Sequence, residues 1–485
     1  MNDDRTTPRA AISTVLLPAT LLFALPVAAE PSRTKEAAVA AVSEHGEELV
    51  DLAQHVWRFA ETALQEERSA ALLADYAEKQ GFRVERGIAG MPTAFLAEYG
   101  SGEPVIAILG EYDALPGISQ QAVTEQIPLE EGAGGHGCGH NLFGAASLGA
   151  ALAVKELIEA GSLRGTLRFY GTPAEEAVGG KLYMIRDGLF RDVDVAIAWH
   201  PGDEIQADTG STQAMVDLVV EFRGRTAHAA ADPWNGRSAV DALEIFTFAL
   251  NQMREHVRPT VRMHYTILEG GQVPNVVPDR AKLWVWLRDS KHERVDELLE
   301  RARDIAKGAA VAAGVQSELK VQGGSYEMLP LFAGARAIHA NLERLGPIPF
   351  TEEEQEFAKA IQRATGTEEK GLRATLEPFD ENPGEPEGGS TDVADVSWIV
   401  PTLHFTVTTA AADAPWHAWP VVATGGMSIG HKGMLHAAKA LAATVVDLYE
   451  QPALVESIRK EFAEKTAGKT FRGYLAPGPP PLPGR

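Results

Sequence analysis

The stretch Gly134-Gly135-His136-Gly137-Cys138-Gly139-His140-Asn141 decides how this chain is read. It holds the only cysteine of 485 residues, flanked by two histidines and four glycines. Thiolate and imidazole both ligate divalent transition metals. Glycines allow bends tight enough to bring alternate side chains onto one ion. The stretch therefore predicts half of a metal site, and the rest of the chain must supply the other half. On its N-terminal side, the continuous apolar run 104–110 reads as a buried strand and ends in Glu111-Tyr112-Asp113-Ala114-Leu115-Pro116. On its C-terminal side, 145–161 reads as a small-residue helix, and 166–170 as a strand followed by Gly171-Thr172-Pro173-Ala174-Glu175-Glu176. A further strand, 193–199, runs straight into His200-Pro201, and strand 402–407 is followed after a loop by His417. Helical periodicity covers 34–81, and 82–99 reads as short strands with Gly/Pro turns. Strands alternating with helices predict an α/β sheet with helices on both faces. Sites in open α/β sheets lie at the carboxyl ends of strands, where Asp113, Glu175-Glu176 and His200 all fall.

Between 213 and 322 the pattern becomes strand, helix, two strands, helix, strand, the ferredoxin-like βαββαβ order. We read 212–325 as an inserted domain between catalytic halves at 30–211 and 326–473. The acidic segment 350–387 reads as helix then loop, and 474–485 as a Pro-rich extended tail. A length of 485 residues calls for two domains, or one with a large insertion. Hydrophobic content of 45% and charged content of 23% are those of a globular protein with a full core. A net charge of −23 leaves nothing to neutralise phosphates and argues against nucleic acid as a partner. Residues 1–29 read as a signal peptide: Arg5 and Arg9, a charge-free apolar run over 11–27, then Val27-Ala28-Ala29 before Glu30. Export is the expectation, periplasmic or secreted, with no stable membrane insertion once the leader is removed. Pro18, Pro26 and the short span suit an anchor poorly, and no other stretch reads as a membrane span. One cysteine forbids an intramolecular disulfide.

A two-metal hydrolase needs about five protein ligands, one of them shared, and a base to activate water. Cys138, His140, Glu176, His200 and His417 are the candidate ligands, with Glu175 as base. Adjacent glutamates after a strand are, taken alone, commonly a solvated helix start. A histidine ending a strand is as readily structural. The signal lies in the combination, each group following a strand.

Here the chain resembles the metallopeptidase and amidohydrolase family of carboxypeptidase G, aminoacylases and the plant indole-acetyl-amino-acid hydrolases. The matching stretches are Gly110-Glu-Tyr-Asp-Ala-Leu-Pro116, Gly135-His-Gly-Cys-Gly-His-Asn141, Ala174-Glu-Glu176, Ala198-Trp-His-Pro201, Ala227-His-Ala-Ala230, Pro274-Asn-Val-Val-Pro278, Ser390-Thr-Asp-Val393, Asp395-Val-Ser-Trp398 and Ile429-Gly-His-Lys-Gly433. They span nearly the whole chain after the leader, in the family's order. The resemblance implies a zinc-peptidase-type mixed sheet flanked by helices, with the ferredoxin-like insert as a lid and dimerisation domain. It implies Cys138, His140, Glu176, His200 and His417 as ligands of two divalent ions, Glu175 as general base, and Asp113 orienting a ligand from behind. For the late ligand the chain offers His417, His431 and His436; Trp416-His417-Ala-Trp-Pro420 fits the family's aromatic/Pro context, so His417 is chosen. His228 matches a histidine that reaches an active site, often the one in the neighbouring protomer, and polarises the scissile carbonyl. Asn275 and Arg288 match positions that bind the substrate carboxylate.

The expected reaction is hydrolysis of an amide in an N-acyl or N-aroyl amino acid, such as p-aminobenzoyl-glutamate, by a metal-activated water. The expected assembly is a homodimer or a heterodimer with a paralogue. Thiolate favours zinc, while carboxylate and imidazole also suit manganese. Many relatives carry Asp where this chain has Asn141; the p-aminobenzoyl-glutamate branch tolerates Asn there. A leader is unexpected for that branch. A dipeptidase or aminoacylase of other specificity, and a chain supporting a paralogous catalytic partner, are the alternatives. His136 has no assigned role.

Overall fold

A strand buried on both faces, Val105–Gly110, lies inside a six-stranded mixed sheet. The computed structural model describes residues 1, 32–386 and 388–482, so the leader read at 1–29 lies, Met1 apart, outside the described residues. The sheet contains β1 (Arg83–Arg86), β2 (Phe95–Ser101), β3 (Val105–Gly110), β4 (Gly165–Gly171), β5 (Val195–Ile197) and, from far along the chain, β12 (Thr402–Leu403). Their spatial order is β1-β2-β4-β3-β5-β12. The strands β4, β3, β5 and β12 run parallel, so their carboxyl ends open on one edge. The continuously apolar Val-Ile-Ala-Ile-Leu of β3 is what a parallel strand covered on both faces requires.

Two corrections to the predicted elements bear on function. The run 34–81 is three helices, Arg33–Glu44, Gly46–Phe59 and Glu67–Lys79. The second ends at Ala60, a non-glycine residue in the left-handed region (φ 43°), and the turn after it carries Glu66 into the interior. The run 402–407 is broken at His404, where the chain leaves the large sheet for a three-stranded one: β6 (His200–Gly202), β13 (Phe405–Thr408) and β7 (Gln206–Ala207) in the order β6-β13-β7. Its parallel neighbour makes the same transfer at Ala198-Trp199, so β5/β12 and β6/β13 stay paired across the step.

The helix His140–Glu159 starts five residues earlier than periodicity suggested, which puts His140 at its first position. It is long and apolar enough to cross a bilayer, but it is a core helix, buried over most of its length. It packs on β3 and β4 and against helices Ser428–Glu450 and Arg33–Glu44.

The insert is an antiparallel sheet of β8 (Ala214–Arg223), β9 (Arg262–Glu269), β10 (Arg280–Asp289) and β11 (Gln316–Ser325), in the order β11-β8-β10-β9. Strict alternation in β8 buries Ala214, Val216, Leu218, Val220 and Phe222 against helices Ala239–Met253 and His292–Ala313. The tail beyond 474 is extended but pinned: the Tyr474 hydroxyl donates to Asp296 at 2.7 Å and Arg186 donates to the Gly478 carbonyl at 2.7 Å.

His436, 8% exposed on Ser428–Glu450, has a buried Nε2 without a hydrogen-bond partner, and burial pushes its pKa down to about 4. Its unfolded value is about 6.5, so folded and unfolded chains are both neutral there above pH 6.5. Below that the unfolded chain binds the proton first, and stability is lost as pH falls from 6.5 toward 4. We expect His436→Leu to lose about 1–2 kcal/mol less than the wild type between pH 7 and pH 5. Urea unfolding of the metal-free proteins at both pH values checks this; equal losses contradict it.

Candidate metal centre

The carboxyl ends of β3, β4 and β5 deliver Asp113, Glu175-Glu176 and His200 to one place, and the glycine-rich loop closes over it. The ligand atoms of Cys138, His140 and His200 lie within 4.8 Å of one another, and so do those of Cys138, Glu176 and His417. Cys138 Sγ is 3.5 Å from His200 Nε2, and Glu176 Oε2 is 3.6 Å from His417 Nε2. Two trios sharing one thiol is the layout of two ions bridged or flanked by Cys138. Metal–ligand bonds of about 2.0–2.3 Å demand neighbours at this spacing.

Two glycines make the approach possible. Gly139 sits at φ 74°, and a Cβ there would meet the Pro201 ring 2.8 Å away. A Cβ on Gly137 would stand 2.5 Å from Ile118 Cδ1 and 3.1 Å from His417 Cα. The Gly137 carbonyl accepts from the His417 amide at 3.0 Å, fixing that residue in the left-handed region at φ 56°. Left-handed backbone at a non-glycine residue costs free energy and is held by its surroundings. Ala174, just before the two glutamates, is likewise at φ 63°; its amide donates to the buried carboxylate of Glu66 at 3.0 Å.

Asp113 ties two of the candidate ligands together. Its Oδ1 lies 2.8 Å from His140 Nδ1, and its Oδ2 accepts from the Glu176 amide at 2.9 Å. Burial pushes the Asp113 carboxyl up, but the adjoining His140 outweighs it and holds the group below its ordinary value. His200 gives its Nδ1 hydrogen to the Pro201 carbonyl at 2.7 Å, leaving Nε2 for an ion. Burial, with His140 nearby, pushes His200 down to about 4, so its imidazole is neutral.

The donor set fits a pair of dications. Burial raises Glu175 well above its ordinary value, and the charges of Glu111, Glu176 and Asp392 add to it. Burial likewise raises Glu176 to about 7, and pushes the Cys138 thiol up with help from Glu176. His140 Nε2, Glu176 Oε1 and Glu111 Oε2 are buried without hydrogen-bond partners. A pocket that raises a thiol and two carboxyls while orphaning three polar atoms lacks positive charge, which bound cations supply.

The other predicted residues divide. Arg288 faces the centre closely enough that its charge helps to lower the pKa of His417, after burial and His140. His228 and Asn275 are not in the cluster; they stand exposed side by side on the insert, where the Ala229 amide donates to the Asn275 carbonyl at 3.0 Å. His228 Nδ1 accepts from the amides of Ala230 and Ala231, so Nε2 carries the hydrogen. His431 is held by Gln54 at 2.7 Å, and neither it nor His436 joins the cluster. His136 packs into the loop's underside through the Val56 carbonyl at 3.0 Å. Asn141 also points away: its amide reaches the carbonyls of Gly425 at 3.1 Å and Ala53 at 3.4 Å. A carboxylate could not donate to them, a structural reason for Asn here.

Sequence reasoning missed Glu66, Glu111, Lys181 and Asp392. Lys181, fully buried, donates to Glu111 Oε1 and Asp392 Oδ1, both at 2.6 Å. The motifs that hold Glu111 and Asp392 stand out in the sequence, but only Asp113 drew a role from them. Lys181 stands alone in an apolar context and leaves no periodic signal.

This fold and donor cluster define a metal-dependent hydrolase with a lid-like second domain. The peptidase dimerisation domain of the M20 family matches residues 211–313. A chain of the p-aminobenzoyl-glutamate hydrolase of Escherichia coli (strain K12), the second of that enzyme's two, is 36% identical over 470 residues, covering 91% of this chain and 98% of that one. Xaa-Arg dipeptidase of Mus musculus is 30% identical over 450 residues, covering 90% and 93%. Among solved structures, a dinuclear metal binding peptidase of the M20 family from Bacillus subtilis shares the fold with a TM-score of 0.59 at 19% identity, covering 84% of this chain and 99% of that one. The chain belongs to the M20 family of metallopeptidases and amidohydrolases.

Proposed function

We propose that this chain hydrolyses the amide bond of N-acyl or N-aroyl amino acids whose amino-acid part carries a free carboxylate, with p-aminobenzoyl-glutamate as the leading substrate. The observation that carries the reading is Arg288. Its guanidinium rests 5.0 Å from the Trp286 ring, its Nε is buried without a hydrogen-bond partner, and it has no acidic partner among the described residues. An unpaired guanidinium beside a hydrolytic centre suits a planar carboxylate bound through two hydrogen bonds. The E. coli relative named for p-aminobenzoyl-glutamate supports the aroyl-glutamate choice.

Two divalent ions, held by Cys138, His140, Glu176, His200 and His417, supply Lewis acidity and a water of lowered pKa when bound. Glu175 takes the proton of the attacking water on its carboxylate and returns it to the departing amine nitrogen. Asp113 keeps His140 and Glu176 in register through both. Arg288 binds the substrate carboxylate and fixes which amide faces Glu175. The thiolate favours zinc; manganese suits the remaining ligands.

A second protomer completes this reading. The insert exposes Phe248 (67%), Ile267 (52%) and Leu268 (51%), the last two on the unpaired edge strand β9. An exposed apolar edge of this kind pairs with another chain. In the dimer the exposed His228 serves the neighbouring site, polarising the scissile carbonyl through Nε2–H. Light scattering of the purified chain is expected to give a dimer mass; a monomer that is active alone contradicts this arrangement. The leader read at 1–29 supports an address outside the cytoplasm, and fractionation of expressing cells tests that.

Arg288→Ala is expected to raise KM for p-aminobenzoyl-glutamate by roughly 10- to 100-fold, the worth of one lost charge-assisted pair. Arg288→Lys should recover only part of it. Equal KM values in the three proteins contradict the assignment. The reading as a whole is tested by assaying the Zn²⁺- and Mn²⁺-loaded chain against a panel of N-acyl and N-aroyl amino acids. Cleavage that needs the free carboxylate is expected, and indifference to capping it as an ester refutes the reading.

A further inference from the structure

We infer that Glu111 is a further ligand of the ion held by Cys138, His140 and His200, presenting one carboxylate oxygen while Lys181 anchors the other. The inference rests on the metal-centre reading above. His140 Nδ1 lies 2.8 Å from Asp113 Oδ1, and a carboxylate only accepts, so Nδ1 carries the hydrogen. His140 Nε2 therefore offers a lone pair. Glu111 Oε2 faces it at 3.1 Å, and both residues are at most 1% exposed. The contact lacks hydrogen-bond geometry, and each atom is without a partner. Two buried lone pairs facing each other repel and leave both groups desolvated and unpaired. A cation between them removes both penalties. Two ligands about 2.0–2.2 Å from one ion stand roughly 3.0–3.5 Å apart at ordinary coordination angles, and 3.1 Å falls in that span. The ligand atoms of Glu111, His140 and Glu175 lie within 4.8 Å of one another, so this oxygen also borders the base.

The far side of Glu111 points the same way. Its Oε1 accepts from Lys181 Nζ at 2.6 Å. Lys181 already has a full partner in Asp392, which accepts from its Nζ at 2.6 Å and from its backbone amide at 2.9 Å. One buried ammonium faces two buried carboxylates, so one negative charge is left over on the side toward His140. A carboxylate anchored at one oxygen and free at the other is the arrangement of a monodentate ligand fixed from behind.

The test is binding of Co²⁺ to metal-free full chain, followed by titration and by the visible ligand-field bands. The wild type is expected to take two ions. Glu111→Gln should bind one of them as the wild type does and the other at least about tenfold to a hundredfold more weakly, with altered bands. Glu111→Asp keeps a charge opposite Lys181 and the fold with it, but withdraws the oxygen by one methylene; the same selective loss is expected. A residue that only balances Lys181 leaves the bands and both affinities unchanged in these variants, and that result overturns the proposal. A wild type that takes fewer than two ions overturns the metal-centre reading itself.

Discussion

Glu175→Gln is expected to leave two metal ions bound and to lower kcat by roughly 10²- to 10⁴-fold, the usual worth of a positioned general base. The residue's neighbours in the chain are the reason. Glu175 follows Ala174, whose left-handed backbone is held by Glu66, and precedes Glu176, whose amide is held by Asp113. Both neighbours are fixed, so the direction of the Glu175 side chain is set by backbone. Its carboxyl is raised by burial and by surrounding acids, and bound cations lower it to where it can accept and return a proton. Glutamine keeps the shape and cannot carry the proton. Metal analysis and steady-state kinetics on one preparation check the prediction. Wild-type kcat with both ions present removes Glu175 from the mechanism; loss of an ion would make it a ligand.

The second large effect concerns the lone cysteine. Cys138 belongs to both ligand trios, so Cys138→Ala takes a donor from each ion at once. The metal content of the purified variant is expected to fall below two per chain, with activity lost alongside. The fold should persist, because the core cluster of the large domain is built without this side chain. Unchanged two-metal content would make the thiol a packing group, and a different donor would have to be found between Glu176 and His200.

Much of this was legible in the sequence because strand and ligand are adjacent in it. The apolar run ending at Gly110 and the strand ending at Gly171 each lead within a few residues to the acids that matter. The βαββαβ insert was legible for a similar reason: each of its strands alternates or runs apolar between clear helices. What escaped were groups whose role is set by contacts across the fold. Lys181 meets Glu111 and Asp392 from 70 and 211 residues away, and no local pattern announces such a meeting. The helix breaks at His45 and Ala60 were hidden because apolar spacing continues through them, while the turn after Ala60 brings Glu66 beneath Ala174. The step at His404 was hidden because one apolar run serves two sheets. His228 was recognised by its setting, yet it stands on the insert, apart from the cluster in its own chain, a placement that no local pattern sets.

A two-ion amide hydrolase is tested most directly by one titration. Metal-free full-length protein is titrated with Zn²⁺, or Mn²⁺ in parallel, while cleavage of p-aminobenzoyl-glutamate is followed. No turnover is expected without metal, and the rate should stop rising at two ions per chain. Turnover in the metal-free protein, or a full rate at one ion per chain, would contradict the two-ion mechanism.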